Sequence, residues 1–218
     1  MARALQLAAR GLYSAHPNPM VGCVLCQDDE IVGEGWHERA GEPHAEVNAL
    51  RAAGEKARGA TAYVTLEPCA HSGKTPPCAT ALIEAGVSRV VAAMQDPFEE
   101  VAGRGLDLLR EAGIETDVGL MQSTAESLNA GFISRVVHHR PRVRLKIAAS
   151  IDGAIALASG ESQWITGPEA RADVQMLRAQ SGAIMSGIGT ELADDPSLNV
   201  RAKDLDTRGL QPLTVVLD

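Results

Sequence analysis

Apolar residues recur at helical spacing through residues 2–14, with Leu5, Ala8, Ala9 and Leu12 on one face, and the run Pro17-Asn18-Pro19 ends the pattern. Two strand-like runs follow over 20–26 and 31–36, with Gln27-Asp28-Asp29 between them, which predicts a hairpin. Helical patterns over 44–57, 77–85 and 103–112 then alternate with strand-like runs over 61–66, 87–94 and 114–118. Gly86 and Gly113 stand where the last two of these helices should stop. A helix, two strands and three helix–strand pairs describe an α/β layer structure with helices on the sheet faces.

The pattern changes near 134–144 (SRVVHHRPRVR), a basic stretch holding a proline, which reads as a linker. Beyond it the periodicity predicts a strand over 143–149, a helix over about 168–179, and strands over 183–186 and 213–217. A second domain therefore starts here. Its last strand is apolar with nothing after it to cover it, and the 76 residues from Val143 to Asp218 are few for a new α/β core. A fragment or truncated form is the expectation. No internal repeat or low-complexity tract is seen.

Composition narrows the function classes. The 218 residues are 45% hydrophobic and 22% charged, ordinary for a globular protein, while aromatics at 3% leave the core to Ala, Val, Leu and Ile. A net charge of −8 argues against a protein that coats nucleic acid through phosphate contacts. An anionic small substrate remains compatible if its pocket supplies local cations. No apolar run reaches the roughly 18 residues of a membrane span, and no secretory pattern opens the chain. Cytoplasm is the expected location, where four cysteines point to metal or catalytic use before disulfides.

The candidate chemistry lies in three places: His44-Ala45-Glu46 at a helix start, Pro68-Cys69 at a strand end, and Cys78 near the start of the next helix. One imidazole and two thiolates suit zinc, and three protein ligands leave the fourth tetrahedral position for water, the mark of a catalytic site. Zinc lowers the pKa of that water from about 16 to about 7. Glu46, two residues from His44, can reach the same water without binding the metal and can carry its proton to a ring nitrogen and then to a departing amine. Hydroxide attack on an amidine-like ring carbon with loss of ammonia is deamination. The general deaminase signature is H-x-E followed by P-C-x-x-C; here eight residues instead of two separate Cys69 from Cys78.

Two rival readings stand beside this one. His44 can cap a helix while the cysteines serve as small core residues. A closed structural zinc site is the other, with Cys23 or Cys26 as fourth ligand. Those two form C-x-x-C inside an apparent strand, so their side chains should face opposite sides, as buried strand residues do. The inter-cysteine loop Ala70-His71-Ser72-Gly73-Lys74-Thr75-Pro76-Pro77 is polar, and a loop held at both ends by ligands could bring His71 and Lys74 to an anionic group. A solvent-facing loop whose lysine does nothing is the plainer alternative.

The strings HPNPMVGCVL, HAEVNAL, AYVTLEPCAHSGKTPPC and QDPFEEVAGRGLDLLREAGI closely resemble the bifunctional riboflavin biosynthesis family, which joins a pyrimidine deaminase to a 5-amino-6-(5-phosphoribosylamino)uracil reductase. The long inter-cysteine loop is characteristic of that family, and the start looks a few residues short of its usual N-terminus. The resemblance implies a cytidine-deaminase-like three-layer α/β/α domain over 1–122, a connecting helix and linker over 123–142, and an incomplete dihydrofolate-reductase-like α/β domain over 143–218. It implies Zn2+ and, for the second half, NADPH. It further implies a phosphorylated ribosylaminopyrimidine substrate, 2,5-diamino-6-(5-phosphoribosylamino)pyrimidin-4(3H)-one, deaminated at ring position 2, with Asn18, His71 and Lys74 lining its pocket.

For the second domain the strings VRLKIAASIDGAIA, GESQWITG, LRAQSGAIMSGIGTELADDPSLNVR and PLTVVLD carry the resemblance. It places Ala148, Trp164, Thr190 and Asp194 against the nicotinamide cofactor and Ser162, Arg178, Leu198 and Arg201 against the substrate. Guanidinium forks at Arg178 and Arg201 suit a phosphate. Lys146 and Asp152 fall at recurrent motif positions without an assigned step. Read from residues alone, Gly187-Ile188-Gly189-Thr190 is a weak phosphate-loop signal or a plain strand-to-helix turn. The family's later glycine-rich cofactor loop is missing from these residues, so the 218-residue chain is expected to deaminate and to show no substantial NADPH-dependent turnover, an expectation that measured turnover would contradict. A deaminase of another base, nucleoside or tRNA is the same-fold alternative, although the acidic charge and scarce aromatics speak against tRNA. A non-catalytic zinc module is the alternative of a different class. A homo-oligomer is compatible with the sequence, which does not show oligomeric state.

Overall fold

The computed structural model describes residues 1–70, 77–98 and 102–218. The chain divides into two compact units, Met1–Arg142 and Val143–Asp218.

In the first unit, β1 (Gly22–Gln27) and β2 (Glu30–Trp36) form the hairpin, turning at Asp28 and Asp29, both with positive φ as a two-residue turn matched to strand twist requires. Next come α2 (Ala45–Ala53), β3 (Thr61–Val64), α3 (Cys78–Glu84), β4 (Arg89–Ala92), α4 (Arg104–Glu111) and β5 (Glu115–Val118), after an opening α1 (Ala2–Ala9). The five strands order as β2-β1-β3-β4-β5, with β1 antiparallel to both neighbours and β3-β4-β5 parallel. This is the mixed α/β sheet expected of a cytidine-deaminase-like domain.

Alternation along β1 decides which helix lies on which face. Cys23 and Leu25 enter the main core with Ala45, Ala49 and Ala53 of α2, whereas Val24 and Cys26 join Ala4 and Leu7 of α1. The two cysteines of C-x-x-C therefore do face opposite sides, and each packs among apolar residues. Across the hairpin Cys23 pairs with Gly35 and Leu25 with Gly33, so both glycines lie under α2. A Cβ at Gly35 would stand 2.4 Å from the Ala49 nitrogen and 2.5 Å from the Ala45 oxygen. Only glycine lets the helix settle this close, and α2 carries His44 at its N-cap and Glu46 in its first turn.

Three features differ from the sequence expectation. The first helix stops at Ala9 and continues as turns, well before Pro17. The connection over 123–142 is two helices, α5 (Gln122–Leu128) and α6 (Ala130–His138), and both belong to the first unit. Ala125 is buried in the main core and Leu128 and Ile133 pack against it, so two helices dock where one connecting helix and a linker were expected. The predicted strand over 143–149 is irregular. Its alternating Val143, Leu145 and Ile147 are 84%, 81% and 65% exposed. Periodicity supplies a face, but a strand needs a neighbour to take its backbone hydrogen bonds, and no strand runs beside this one among the described residues.

The second unit holds α7 (Pro168–Ala179), β6 (Ala183–Gly187), α8 (Ile188–Asp194) and β7 (Leu213–Leu217), with β6 and β7 forming a two-stranded parallel sheet. Proline at the start of α7 fits a first-turn position whose N–H has no helical partner. Across both units, no helix among the described residues is long and apolar enough to cross a membrane.

Candidate metal centre

The N-terminus of α2 meets the N-terminus of α3 and the chain just beyond β3. There the ligand atoms of His44, Cys69 and Cys78 lie within 4.8 Å of one another, the one such His/Cys/Asp/Glu group among the described residues. His44 Nδ1 is 3.1 Å from Cys78 Sγ and 3.7 Å from Cys69 Sγ, and the Cys78 N–H donates to Cys69 Sγ at 3.3 Å. Bond lengths of about 2.0–2.3 Å around a tetrahedral zinc put ligand atoms about 3.5–4 Å apart. The His44–Cys69 separation matches that spacing and the His44–Cys78 separation is somewhat shorter, and all four cysteines are free.

The electrostatics fit a cation. Cys69 is pushed well below the usual thiol range, chiefly by the hydrogen bond from the Cys78 thiol, with His44 and the Cys78 N–H adding to it against burial. Cys78 is pushed up because it donates to Cys69 and is buried. One thiolate forms readily and the second awaits a positive charge, as metal binding coupled to proton release requires. His44 is raised by its hydrogen bond to Cys69.

Glu46 points into the same place. Its side chain is buried, and its Oε2 has no partner among the described residues. Burial pushes its carboxyl up to about 7. A raised acid favours the folded chain while protonated, so this stabilisation is full below pH about 4.5, declines as pH rises and is gone above about 7. In metal-free protein the group should therefore cost about 3 kcal/mol of stability between pH 4.5 and 8. Denaturant melts of the metal-free wild type and Glu46→Gln should converge at low pH and separate by that amount at pH 8; parallel curves would contradict the assignment.

Asn18 lies on the loop after α1 and donates from Nδ2 to His37 Nε2 at 3.0 Å. His37 Nδ1–H in turn donates to the Pro43 carbonyl at 3.2 Å, and burial lowers the His37 pKa, so the ring is neutral with its proton on Nδ1. His37 stands edge-on to His44 with ring centroids 5.4 Å apart. Sequence reasoning missed His37; the one available signal was a histidine at the end of a strand whose neighbours reach the site. His71 and Lys74 lie outside the described residues.

A second missed residue is Glu67, buried two positions before Cys69. Its carboxylate accepts from the backbone N–H groups of Asp96, Gly103, Gly105 and Leu106 at 2.9–3.4 Å, tying the β3 end to the N-terminus of α4. A Cβ at Gly105 would meet the Pro68 oxygen at 1.8 Å, so glycine there seats the Pro68-Cys69 turn on the helix.

In the second unit the structure gathers some of the singled-out residues and leaves others apart. Arg178 Nη1 donates to the carbonyls of Ser197 and Asn199, both at 2.9 Å, either side of Leu198, and Arg201 reaches the Ser197 carbonyl and Asn199 Oδ1. Partial burial and the charge of Arg201 lower the Arg178 pKa. Ser162 is exposed on the stretch before α7. Trp164 is exposed with the Arg171 guanidinium 4.4 Å over its ring, Thr190 and Asp194 share one face of α8, and Ala148 lies on the irregular stretch.

Comparison with known proteins joins the two units. The family model described as the cytidine and deoxycytidylate deaminase zinc-binding region matches residues 1–94, and that described as the RibD C-terminal domain matches 141–218. The riboflavin biosynthesis protein RibD of Escherichia coli is 62% identical, and that of Haemophilus influenzae 58%, across all of this chain and 62% and 61% of their own lengths. Among solved structures, Acinetobacter baumannii RibD superposes with a TM-score of 0.96 at 56% identity, covering the whole chain and 62% of that protein. A Thermotoga maritima diaminohydroxyphosphoribosylaminopyrimidine deaminase/5-amino-6-(5-phosphoribosylamino)uracil reductase superposes at 0.92 with 43% identity, again over the whole chain and 62% of that protein. Matched along its full length at these identities, the chain is similar to the riboflavin biosynthesis protein RibD and spans about three fifths of the length of the curated relatives it matches.

Proposed function

We propose that the first unit is a zinc-dependent deaminase of 2,5-diamino-6-(5-phosphoribosylamino)pyrimidin-4(3H)-one, producing 5-amino-6-(5-phosphoribosylamino)uracil and ammonia. The observation that carries this reading is the convergence of three zinc-type donors with a buried carboxylate whose Oε2 is unpartnered. A structural zinc site has no use for that carboxylate. His44, Cys69 and Cys78 hold the ion. When bound, zinc supplies a water acidified to a pKa of about 7, and so a nucleophile at neutral pH.

Glu46 takes one water proton on its free oxygen and passes it to a pyrimidine ring nitrogen, then carries the second, from the oxygen now bonded to the ring carbon, to the exocyclic amine. The water oxygen bonds to ring carbon 2, the bond from that carbon to the amine breaks, and ammonia leaves. Neutral His37 accepts from the Asn18 Nδ2, and in this reading the Asn18 Oδ1 accepts from a substrate N–H. His71 and Lys74, by sequence position on the loop between the two cysteines, are assigned to the ribose-phosphate end.

To the second unit we assign part of an NADPH-dependent reductase. Ala148, Trp164, Thr190 and Asp194 would face the nicotinamide cofactor, which supplies hydride when bound. Ser162, Arg178, Leu198 and Arg201 would face the substrate. Among the described residues beyond Arg142 only Ala179, Val200 and Thr207 are buried. A cytoplasmic location belongs to the same reading.

The deaminase assignment is tested by substrate choice. Ammonia release from the phosphoribosylaminopyrimidine should exceed that from cytidine, deoxycytidylate or a tRNA anticodon stem-loop by orders of magnitude, and preference for any of those three would overturn it.

A further inference from the structure

The turn carrying Asn18 is fixed from a distance. Asn129, at the junction of α5 and α6, is 2% exposed and grips the backbone of Met20 at both polar groups. Its Oδ1 accepts from the Met20 N–H at 2.8 Å and its Nδ2 donates to the Met20 carbonyl at 2.9 Å, across 109 residues of sequence. An amide presents one donor and one acceptor side by side, so it can stand in for a neighbouring strand where the β1 ladder has not yet begun. From α6, Arg135 Nη2 also reaches the Pro17 carbonyl at 3.5 Å. Pro17 and Met20 bracket Asn18, so two contacts from one helical segment hold its turn on either side. Neither matched family region, 1–94 or 141–218, includes Asn129 or Arg135.

We propose that Asn129 is a positioning residue for the deaminase pocket, acting through the Met20 backbone to set the place of Asn18. His37 fixes the rotation of the Asn18 amide, and Asn129 fixes the main chain from which that amide projects. The inference rests on the reading that Asn18 lines the substrate pocket. It gives α5 and α6 a part in substrate binding although no side chain of theirs need touch the substrate. The metal ligands sit on other elements, α2, α3 and the end of β3, so loosening this turn should leave zinc binding intact.

The test uses the zinc-loaded 218-residue chain and its ammonia release. Asn129→Ala is expected to raise KM about 10-fold, with kcat and zinc content within about twofold of wild type. Asn18→Ala should raise KM at least as much, and the double variant should be no worse than Asn18→Ala alone, because non-additivity marks two residues acting as one unit. Should Asn129→Ala fail to fold, Asn129→Ser, whose single short hydroxyl cannot hold both Met20 groups, carries the same expectation. Unchanged KM in the folded Asn129 variant while Asn18→Ala raises it overturns the positioning role alone. Fully additive effects, or activity lost in step with zinc, assign Asn129 to the scaffold and also overturn it. Unchanged KM in Asn18→Ala removes the pocket reading itself and this inference with it.

Discussion

Glu46→Gln should take up zinc as the wild type does and release ammonia from the phosphoribosylaminopyrimidine about 10²–10⁴-fold more slowly, the range for a lost general acid–base group. Glutamine keeps the size and position of the side chain on the first turn of α2, but its amide cannot take up a proton and hand it on. Because the proposed metal donors are His44, Cys69 and Cys78, zinc content should be untouched. KM should change little, since the interaction lost belongs to the transition state. A Glu46→Gln protein with normal zinc and wild-type turnover would remove the proton-carrying role.

Gly35→Ala should damage stability and the metal centre together. The added methyl would meet the Ala49 nitrogen and the Ala45 oxygen, backbone atoms that cannot rotate aside. Either β2 bends or α2 lifts, and α2 carries His44 and Glu46 with it. Overpacking of this kind costs about 1–3 kcal/mol and sometimes more, so thermal unfolding should shift down by several degrees and zinc affinity should fall with it. Gly182→Ala, where an added Cβ meets nothing within 4 Å, is the control and should leave both unchanged. Zinc affinity held at the wild-type level in Gly35→Ala would show that α2 is not the element that places the site.

Local patterns were legible in the sequence, and contacts at long range were not. The spans of α7 and β7 agree with the expected ones, because Pro168 marks the first turn of α7 and β7 is a short apolar run after Pro212. The stretch over 143–149 has the rhythm of a strand and no neighbouring strand among the described residues, so the rhythm alone misleads. Within the site, His44, Glu46, Cys69 and Cys78 were readable because ligand type and short spacing are local properties. His37, Glu67 and Asn129 were not. Their roles lie in contacts 19, 29–39 and 109 residues away, which leave no spacing to read. The buried proton site at Glu46 occupies a middle ground: the residue was readable, but its raised pKa depends on the enclosure that the sheet and helices build around it.

The proposed function has this chain deaminate the phosphoribosylaminopyrimidine through a zinc held by His44, Cys69 and Cys78. Its most direct test is a titration of metal-free protein with zinc, following ammonia release and bound metal on the same sample. Activity should rise in proportion to bound zinc and saturate at one ion per chain, with none of it appearing in Cys78→Ala. Turnover from the metal-free protein, or one zinc per chain without ammonia release, would contradict it.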